Sequence, residues 1–345
     1  MKSKISVFKY LFLVVLTGIV ACKGKNGTSE SNVTDLFADS ISAESLVAQI
    51  PNVTAGAEAY FSFDGRLLIY NGKEEDDSAY QVYTIGIDGS NRKRINNIGE
   101  DACSFFHPNG KEIVWTSTKD NLHLPKGNWS EVEDYPQGAE LYLSDLDGNN
   151  IRRLTANEYY DAEVSISPDG TQLLFARQIN GEIDLWLANV DGSNQKQITF
   201  TPDLQEGGSQ FLPDGKTILF RAWKKSEQGQ EHKDMHLYTI NTDGADLKQI
   251  TTESGTHWAP YPAPDGVHAV YVKVLPPRNY ELFLINLQTG EEKRLTYNAS
   301  FDGFPSVSPD GKYVAFSSGR GSKEKRGLSL FLLDVSSLGI GQKTI

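Results

Sequence analysis

Acidic and imidazole side chains recur at one fixed position of this sequence, eight residues before the Asp or Asn of a repeated turn. The six residues at that position are Gly56, Asp101, Asp161, Glu206, His257 and Asp302. Two further acids, Glu58 and Glu163, stand two residues later, and Trp258 follows His257. Carboxylates gathered at a narrow mouth would make the local potential negative and attract a cation, a basic peptide segment or a metal ion.

From this pattern we predict a candidate partner-binding rim around a central channel. Its members are Asp101, Asp161, Glu163, Glu206, His257, Trp258 and Asp302. The alternative is that these acids cap turns or pair with Lys and Arg side chains of adjoining loops. We predict no catalytic residue, metal site or cofactor, because the sequence has no nucleophile elbow Gly-x-Ser-x-Gly, no phosphate-binding loop and no close cluster of metal-ligating residues.

The turn that defines this spacing occurs six times. Its copies are Phe63-Asp64-Gly65, Pro108-Asn109-Gly110, Pro168-Asp169-Gly170, Pro213-Asp214-Gly215, Pro264-Asp265-Gly266 and Pro309-Asp310-Gly311. Asp-Gly and Asn-Gly favour β-hairpins, since both central residues tolerate a positive φ. Each turn is followed by β-rich runs, and in the first five units these are followed by a second turn and a short fourth segment, Ile95-Asn96 in the first unit and an aliphatic–Thr pair such as Leu154-Thr155 in the others.

Four antiparallel strands in a unit of about forty-five residues are typical of a β-propeller blade. Six such units predict an all-β protein, a six-bladed β-propeller of four-stranded antiparallel blades. Because neighbouring strands alternate in direction, both turns of a blade must lie on one face of the propeller. The insertions at residues 119–138, 224–234 and 319–327 then lie on the other face, where binding sites on rigid scaffolds usually occur.

The sixth unit lacks the aliphatic–Thr strand, which suggests how the ring closes. Ile50 precedes the Asp of the first turn by 14 residues, a spacing that matches the fourth strands of the other units. We therefore predict that residues 46–50 complete the last blade as an N-terminal strand and remove an exposed sheet edge. The alternative is closure by residues 342–345.

The repeat resembles the PD40 repeat of the TolB-like β-propellers, in which Ser-Pro-Asp-Gly precedes two strands, an Asp-Gly turn and a Leu-Thr strand. Residues 167–170 and 308–311 match this motif fully, and the other four turns depart from it at one or two positions. The resemblance covers residues 45–345 and implies a scaffold that links proteins of the cell envelope. TolB proteins also carry an N-terminal α/β domain, and we expect a form without it.

The first residues have the composition of an export signal. Three lysines precede an apolar run, residues 11–16, that is too short to cross a bilayer. Residues 19–22, Ile-Val-Ala-Cys, resemble the lipobox of bacterial lipoproteins, and this resemblance implies cleavage before Cys22 and acylation of Cys22. An ordinary secretory signal with an incidental cysteine is the alternative.

Three segments follow from these patterns. We predict a lipoprotein signal peptide at residues 1–21, a flexible tether at residues 22–44 and the propeller at residues 45–345. The tether assignment depends on its polar, aromatic-poor composition.

Charge excludes one class of partner. The chain has 33 Lys and Arg against 45 Asp and Glu, a formal net charge of −12, which repels phosphate backbones. We therefore predict no nucleic-acid binding.

The sequence favours a monomeric, lipid-anchored scaffold that faces the periplasm from the outer membrane and binds a protein or peptide partner without catalysis. The alternative is a propeller enzyme, of lyase or hydrolase type, that acts on glycans or peptides in the central channel.

Overall fold

Short β-strands make up almost all the regular structure. The computed structural model describes residues 42–74, 76–230, 233–322 and 327–342. The strands are β1 (Val47–Gln49), β2 (Gly56–Phe61), β3 (Leu67–Gly72), β4 (Gln81–Gly86), β5 (Lys93–Arg94), β6 (Asp101–Phe106), β7 (Glu112–Ser117), β8 (Glu140–Asp145), β9 (Arg152–Arg153), β10 (Tyr160–Ile166), β11 (Gln172–Ile179), β12 (Glu182–Asn189), β13 (Lys196–Gln197), β14 (Leu204–Phe211), β15 (Thr217–Lys224), β16 (Met235–Asn241), β17 (Lys248–Gln249), β18 (His257–Pro262), β19 (His268–Leu275), β20 (Asn279–Asn286), β21 (Glu292–Arg294), β22 (Asp302–Val307), β23 (Tyr313–Ser318) and β24 (Ser329–Asp334).

These strands form six four-stranded antiparallel sheets, which confirms the predicted six-bladed propeller. Blades one to five take consecutive strands, from β2–β3–β4–β5 through β18–β19–β20–β21, and the sixth has the order β1–β24–β23–β22. In each blade the first of the consecutive strands is innermost, so β2, β6, β10, β14, β18 and β22 surround the axis.

The N-terminal strand closes the ring as predicted. Val47 and Gln49 of β1 lie opposite Leu333 and Phe331 of β24, and the backbone N–H of Ile50 donates to the carbonyl of Leu330 (2.9 Å). The outer edge of β24 is therefore occupied by β1. Of the alternative closing segment, residues 342–345, positions 343–345 lie outside the described residues.

Glu44, one residue before the predicted boundary of the propeller, contacts the propeller. The Glu44 carboxylate accepts hydrogen bonds from the Arg320 guanidinium (2.9 Å between Oε1 and Nη2) and from the backbone N–H of Tyr297 (3.1 Å). Arg320 also donates to Asp302, at the start of β22. This network holds the residues before β1 against blades five and six.

The repeated turns are stabilised by their own side chains. Ser167 Oγ donates to Asp169 Oδ1 (2.6 Å), and the same Asp oxygen accepts from the backbone N–H of Thr171 (3.0 Å). Gly170 has a φ of 74°, a left-handed conformation that other residues adopt only with strain. The Ser–Asp contact recurs at Ser62 with Asp64 and at Ser308 with Asp310.

The outermost strands lie about two residues earlier than the predicted aliphatic–Thr pairs. β13, for example, covers Lys196–Gln197 and ends before Thr199. Thr199 Oγ1 accepts a hydrogen bond from the backbone N–H of Leu185 in β12 (2.9 Å). A side-chain hydroxyl therefore takes the place of the backbone carbonyl that would continue the pairing of β12 with β13. Thr155, Thr251 and Thr296 make the same contact in their blades.

Each blade buries both faces against its neighbours. The cluster between blades six and one contains Ile50, Tyr70 and Leu330, and a separate cluster of this kind lies between every other adjacent pair. Strands buried on both faces read as continuous apolar runs, which is why the sequence shows such runs after each turn.

The long insertions join second to third strands. Residues 119–138 connect β7 to β8 and include one turn of 3₁₀ helix, Val132–Asp134. Of the second insertion, residues 225–234 lie between β15 and β16 and include the 3₁₀ turn Lys225–Glu227. The third insertion contains residues 323–326, which lie outside the described residues. Within the described part of the chain, no helix has both the length and the apolar character needed to cross a membrane.

Ile50 provides a test of ring closure. Its side chain is 1% exposed in the cluster between blades six and one, so Ile50→Ala is expected to lower the free energy of unfolding by about 2–5 kcal/mol. Leu46→Ala, at a side chain that is 43% exposed, is the matched control and is expected to change it by less than about 0.5 kcal/mol. Urea unfolding measures both. Equal, small effects would mean that β1 does not close the ring in solution.

Candidate functional site

A β-bulge occurs at the same place in all six innermost strands. The residues at its centre are Glu58, Cys103, Glu163, Gly208, Ala259 and Phe304, with φ between 35° and 59°. Each stands six residues before the Asp or Asn of the following turn, and the pairing with the second strand shifts there. A bulge redirects a side chain, and these six positions all lie on the wall of one central cavity.

This cavity has a volume of about 700 Å³ and borders the face that carries the long insertions. Trp129 and Val132 of the first insertion and Lys233 of the second are part of its wall. Its size is within the usual range of sites for small molecules and peptide segments. A smaller cavity of about 190 Å³ lies at the turn face, where Phe63 and the prolines of four turns surround it.

Two of the seven predicted rim residues, Glu163 and Trp258, line the central cavity. The other five, which are Asp101, Asp161, Glu206, His257 and Asp302, lie away from its wall and are at most 2% exposed. They begin or lie near the start of the innermost strands and point into the contacts between strands and blades.

Asp161 and Asp302 are paired with arginines, the first with Arg177 of β11 and the second with Arg320 of the insertion that follows β23. Asp161 accepts from Nε and Nη2 of Arg177 (2.5 and 2.7 Å), and Arg177 packs over the Trp186 ring (4.6 Å to the centroid). Asp302 accepts from Arg320 and from Ser318 Oγ (2.7 Å). Both carboxylates are therefore paired with an arginine, and Asp302 Oδ2 alone among their oxygens is buried without a hydrogen-bond donor from the described residues.

Asp101 and Glu206 are buried with uncharged donors only. Asp101 accepts from the backbone N–H of Val82 (3.1 Å) and from Asn96 (2.8 Å), and Glu206 accepts from the hydroxyls of Thr199 and Thr201. Burial raises the pKa of each carboxyl to about 7, because neutral donors do not replace the hydration of a full charge.

His257 occupies the corresponding place in blade five. Its Nδ1 donates to the backbone carbonyl of Met235 (3.0 Å), and its ring stacks on His236 with centroids 5.8 Å apart. Burial lowers the pKa of both imidazoles. Among the described residues, no group of three or more His, Cys, Asp or Glu side chains could hold a metal ion.

The cavity wall of blades one and two carries a carboxyl group and a thiol. The Glu58 carboxyl accepts from Asn71 (2.7 Å) and lies 3.5 Å from the Cys103 Sγ. Burial, reinforced by the nearby Glu163, raises the pKa of Glu58. Cys103 is also part of this wall, and burial raises the pKa of its thiol.

The wall of blades three and four holds an ion pair. Arg221 Nη2 donates to Glu163 Oε1 (2.8 Å), and the backbone N–H of Gly208 donates to Glu163 Oε2. Arg221 also packs over the ring of Trp223 (5.2 Å to the centroid), and Lys233 lies over the same ring (5.5 Å). Attraction between a cation and an indole face stabilises both contacts.

The wall of blades five and six is aromatic. Trp258 contacts Phe304 edge-on (centroids 4.6 Å apart), and Phe301 lies 5.1 Å from Tyr280 by the same measure. These rings present apolar area of fixed shape to a ligand.

The charge on this wall differs from the expected ring of acids. Its described residues include two carboxyl groups, Glu58 and Glu163, and three cations, Arg221, Lys233 and Arg278. The cavity of a chain with net charge −12 therefore has cations in the majority.

Most of the wall was missed at the sequence level. On a regular strand, side chains two residues apart point to the same face, so the sequence pattern puts the residues six and eight positions before the turn on one face. The bulge is what directs these two side chains to different surroundings. One available signal was Gly207-Gly208 within a predicted strand, since glycine there often indicates a bulge or a close approach.

Comparison with known proteins supports the resemblance seen in the repeats. Residues 132–274 match the family model described as the TolB beta propeller domain. The Tol-Pal system protein TolB of Francisella tularensis subsp. holarctica is 27% identical over 203 residues, which are 58% of this chain and 42% of that protein. The matched segments cover between 33% and 43% of the lengths of the curated relatives.

Solved structures give the same fold. A putative TolB from Agrobacterium tumefaciens superposes with a TM-score of 0.58 at 17% identity, over 84% of this chain and 96% of that one. Oligogalacturonate lyase from Vibrio parahaemolyticus superposes with a TM-score of 0.56 at 13% identity, over 85% and 94%. At these identities the likeness concerns the fold alone.

Glu206 provides a pH test of the buried carboxyls. Its pKa of about 7 in the folded protein exceeds that of an unfolded Glu, about 4.3, so folding favours the protonated form and stability is lost as the pH rises through 7. Glu206→Gln cannot ionise. Because the wild type loses stability over this range and the variant does not, the free energy of unfolding of Glu206→Gln minus that of wild type is expected to increase from pH 5 to pH 8, by up to about 3 kcal/mol.

Urea unfolding across this range measures the effect. Asp191→Asn is the control, because hydrogen bonds from Ser193 lower the pKa of that exposed carboxyl and it titrates below the range. A constant difference between Glu206→Gln and wild type from pH 5 to pH 8 would refute the raised pKa.

Proposed function

We propose that this TolB-like six-bladed β-propeller is a scaffold whose central cavity receives a peptide segment of a protein partner. The supporting observation is the combination of an open cavity of about 700 Å³ with walls of different chemistry: an ion pair, a weakly acidic wall and an aromatic wall. Such a site can hold a chain of mixed side chains by several anchors.

The position of the cavity favours a macromolecular partner. Its walls include residues of the insertions at 119–138 and 224–234, which stand on the same face. Trp129 is held by a hydrogen bond from its indole to Glu100 (3.2 Å), and Tyr135 stacks on Tyr160 (centroids 4.3 Å apart). Rigid aromatic groups around a cavity provide the anchors that a peptide partner needs.

Five of the predicted rim residues belong to this proposal only indirectly. Asp101, Asp161, Glu206, His257 and Asp302 support the strands that carry the cavity wall, and we propose partner contact for Glu163 and Trp258 alone among the seven. The basis is that only these two lie on the wall.

We also propose that the chain acts in the cell envelope of a bacterium. Residues 1–21 would be a lipoprotein signal peptide, Cys22 the acylated residue and the following segment the tether to an outer membrane that faces the periplasm. Residues 1–41, including Cys22, lie outside the described residues. The support is the lipobox-like sequence and the relative named as a Tol-Pal system protein.

The enzyme alternative has one observation in its favour, the two carboxyl groups of Glu58 and Glu163 on the same cavity wall. A pair of carboxyl groups can supply a general acid and a general base. Glu163, however, is already engaged by Arg221 and by the Gly208 N–H. We therefore keep binding as the proposal and turnover as the outcome that would replace it.

Ala259 allows a direct test of the cavity. Its backbone already has the left-handed conformation that carries Phe304 in blade six, so Ala259→Phe is expected to fill the cavity without unfolding the blade. Short peptides selected from a displayed random library on the wild-type chain are expected to bind Ala259→Phe at least about tenfold more weakly, a loss of about 1.4 kcal/mol.

Phe63→Ala, at the small cavity of the turn face, is the matched control and is expected to keep wild-type affinity. Fluorescence polarisation of the selected peptides measures both variants. Equal affinities for wild type and Ala259→Phe would contradict the proposal, as would a peptide or oligosaccharide that the wild type cleaves.

Cys22 tests the proposed anchor. Cys22→Ser lacks the thiol that acylation requires. Because several acyl chains together bind a membrane firmly, the variant without them is expected to move from the membrane fraction to the soluble fraction of the envelope. Fractionation and fatty-acid labelling measure this. Unchanged membrane association with no label on the wild type would rule out the lipid anchor.

A further inference from the structure

The central cavity holds hydrogen-bond donors that its own wall does not satisfy. Arg221 is 6% exposed and Trp223 4%, and both line the cavity from β15. Arg221 uses Nη2 for Glu163, whereas its Nε and Nη1 and the Trp223 Nε1 have no hydrogen-bond acceptor among the described residues. A buried donor without an acceptor costs free energy, and more so when it is charged.

Two glycines bring the guanidinium to the cavity. Arg221 belongs to the second strand of its blade and lies opposite Gly207 of the innermost strand. A Cβ atom on Gly207 would stand 2.7 Å from Arg221 Nη1, and one on Gly208 would stand 3.5 Å from Nε. The absence of side chains at these two positions leaves room for the guanidinium beside the bulge, where the other five blades carry Glu58, Cys103, Glu163, Ala259 and Phe304.

The local charge favours an anion. Lys233 and Arg221 both lie over the Trp223 ring, so two cations stand within one small region of the wall. Glu163 balances only one of them through its contact with Arg221. Glu58, the other acid of the wall, has a raised pKa because of burial.

We infer that the peptide received by the cavity presents a carboxylate to Arg221, Trp223 and Lys233. This inference depends on the proposed function and adds the chemistry of the partner. Guanidinium donors in a fixed plane suit a carboxylate, and an indole N–H can donate but not accept. The aromatic wall formed by Trp258, Phe301 and Phe304 receives an apolar neighbour of that carboxylate.

A peptide fits these observations better than a polyanionic chain. Among the described residues of the cavity wall, the donors without acceptors belong to blade four, whereas the opposite side, in blade one, carries the Glu58 carboxyl group and the third side is apolar. A repeating anion would place further charges against Glu58 and the aromatic rings. The carboxylate can belong to an Asp or Glu side chain or to a peptide C-terminus.

Calorimetric titration of the full chain with matched probes tests the inference. The probes are acetyl-Ala-Phe-Glu-Ala-amide, its Gln counterpart, its Lys counterpart, acetyl-Ala-Phe-Ala with a free carboxyl end, and digalacturonate. The Glu peptide or the free-carboxyl peptide is expected to bind about tenfold or more tightly than the Gln peptide, and this preference is expected to weaken with salt. The tighter of the two identifies the source of the carboxylate.

Three variants assign the preference to the wall. Arg221→Lys keeps a positive charge beside Glu163 but lacks the donors Nε and Nη1. Trp223→Phe lacks the indole N–H. Lys233→Gln changes a partly exposed side chain and is therefore the variant least able to disturb folding. Each is expected to reduce the preference for the carboxylate peptide over the Gln peptide at least about threefold, with the Gln peptide unaffected.

The outcomes separate this inference from the proposed function. Equal binding of the Glu, free-carboxyl and Gln peptides, or tighter binding of the Lys peptide, would overturn the carboxylate subsite and leave peptide binding intact. Tighter binding of digalacturonate than of any peptide would overturn the peptide as the source. Binding of none of the probes would overturn both the inference and peptide reception by the cavity.

Discussion

Closure of the ring by β1 is the constraint on which the other features depend. Three residues, Val47–Gln49, pair with β24 and turn an open row of blades into a circle. Only in a circle does every blade bury both faces, because the cluster that contains Ile50 and Leu330 then joins the sixth blade to the first. The same circle brings six innermost strands around one axis and so creates a cavity from chain segments far apart in sequence.

Within that circle, a backbone irregularity separates structural from cavity-lining side chains. Positions two apart on a regular strand share a face. At Asp161 and Glu163 this rule fails, because the bulge gives Glu163 a φ of 54° and shifts the pairing between Ala162 and Ser165. Asp161 stays buried with Arg177, while Glu163 reaches the cavity wall. The buried acid at the start of an innermost strand, such as Asp161, therefore stabilises the strand. The residue two places later, such as Glu163, is the one exposed to the cavity.

The architecture was predictable because each turn is a local signal repeated six times. Blade number, antiparallel order and the closing strand all followed from the spacing of the Asp-Gly and Asn-Gly turns. The outermost strands end about two residues before the predicted positions. The hydroxyl of a residue such as Thr199 takes the place of a backbone carbonyl as hydrogen-bond acceptor, and a pattern of strand propensities does not show this substitution. The site was less predictable. Arg221 belongs to a second strand and reaches the cavity only past Gly207 and Gly208, a relation that depends on cross-strand register.

These relations give a coherent account of a binding propeller in an acidic chain. The fold uses most of its conspicuous acids internally and presents a cavity with cations in one wall and aromatic rings in another. The most direct measurement of this account is a crystal structure of the chain with a carboxylate-bearing peptide bound. We predict the carboxylate within hydrogen-bond distance of Arg221 Nη1 or Nε, with an apolar side chain against Trp258. A peptide bound at the turn face, or a carboxylate turned away from blade four, would contradict it.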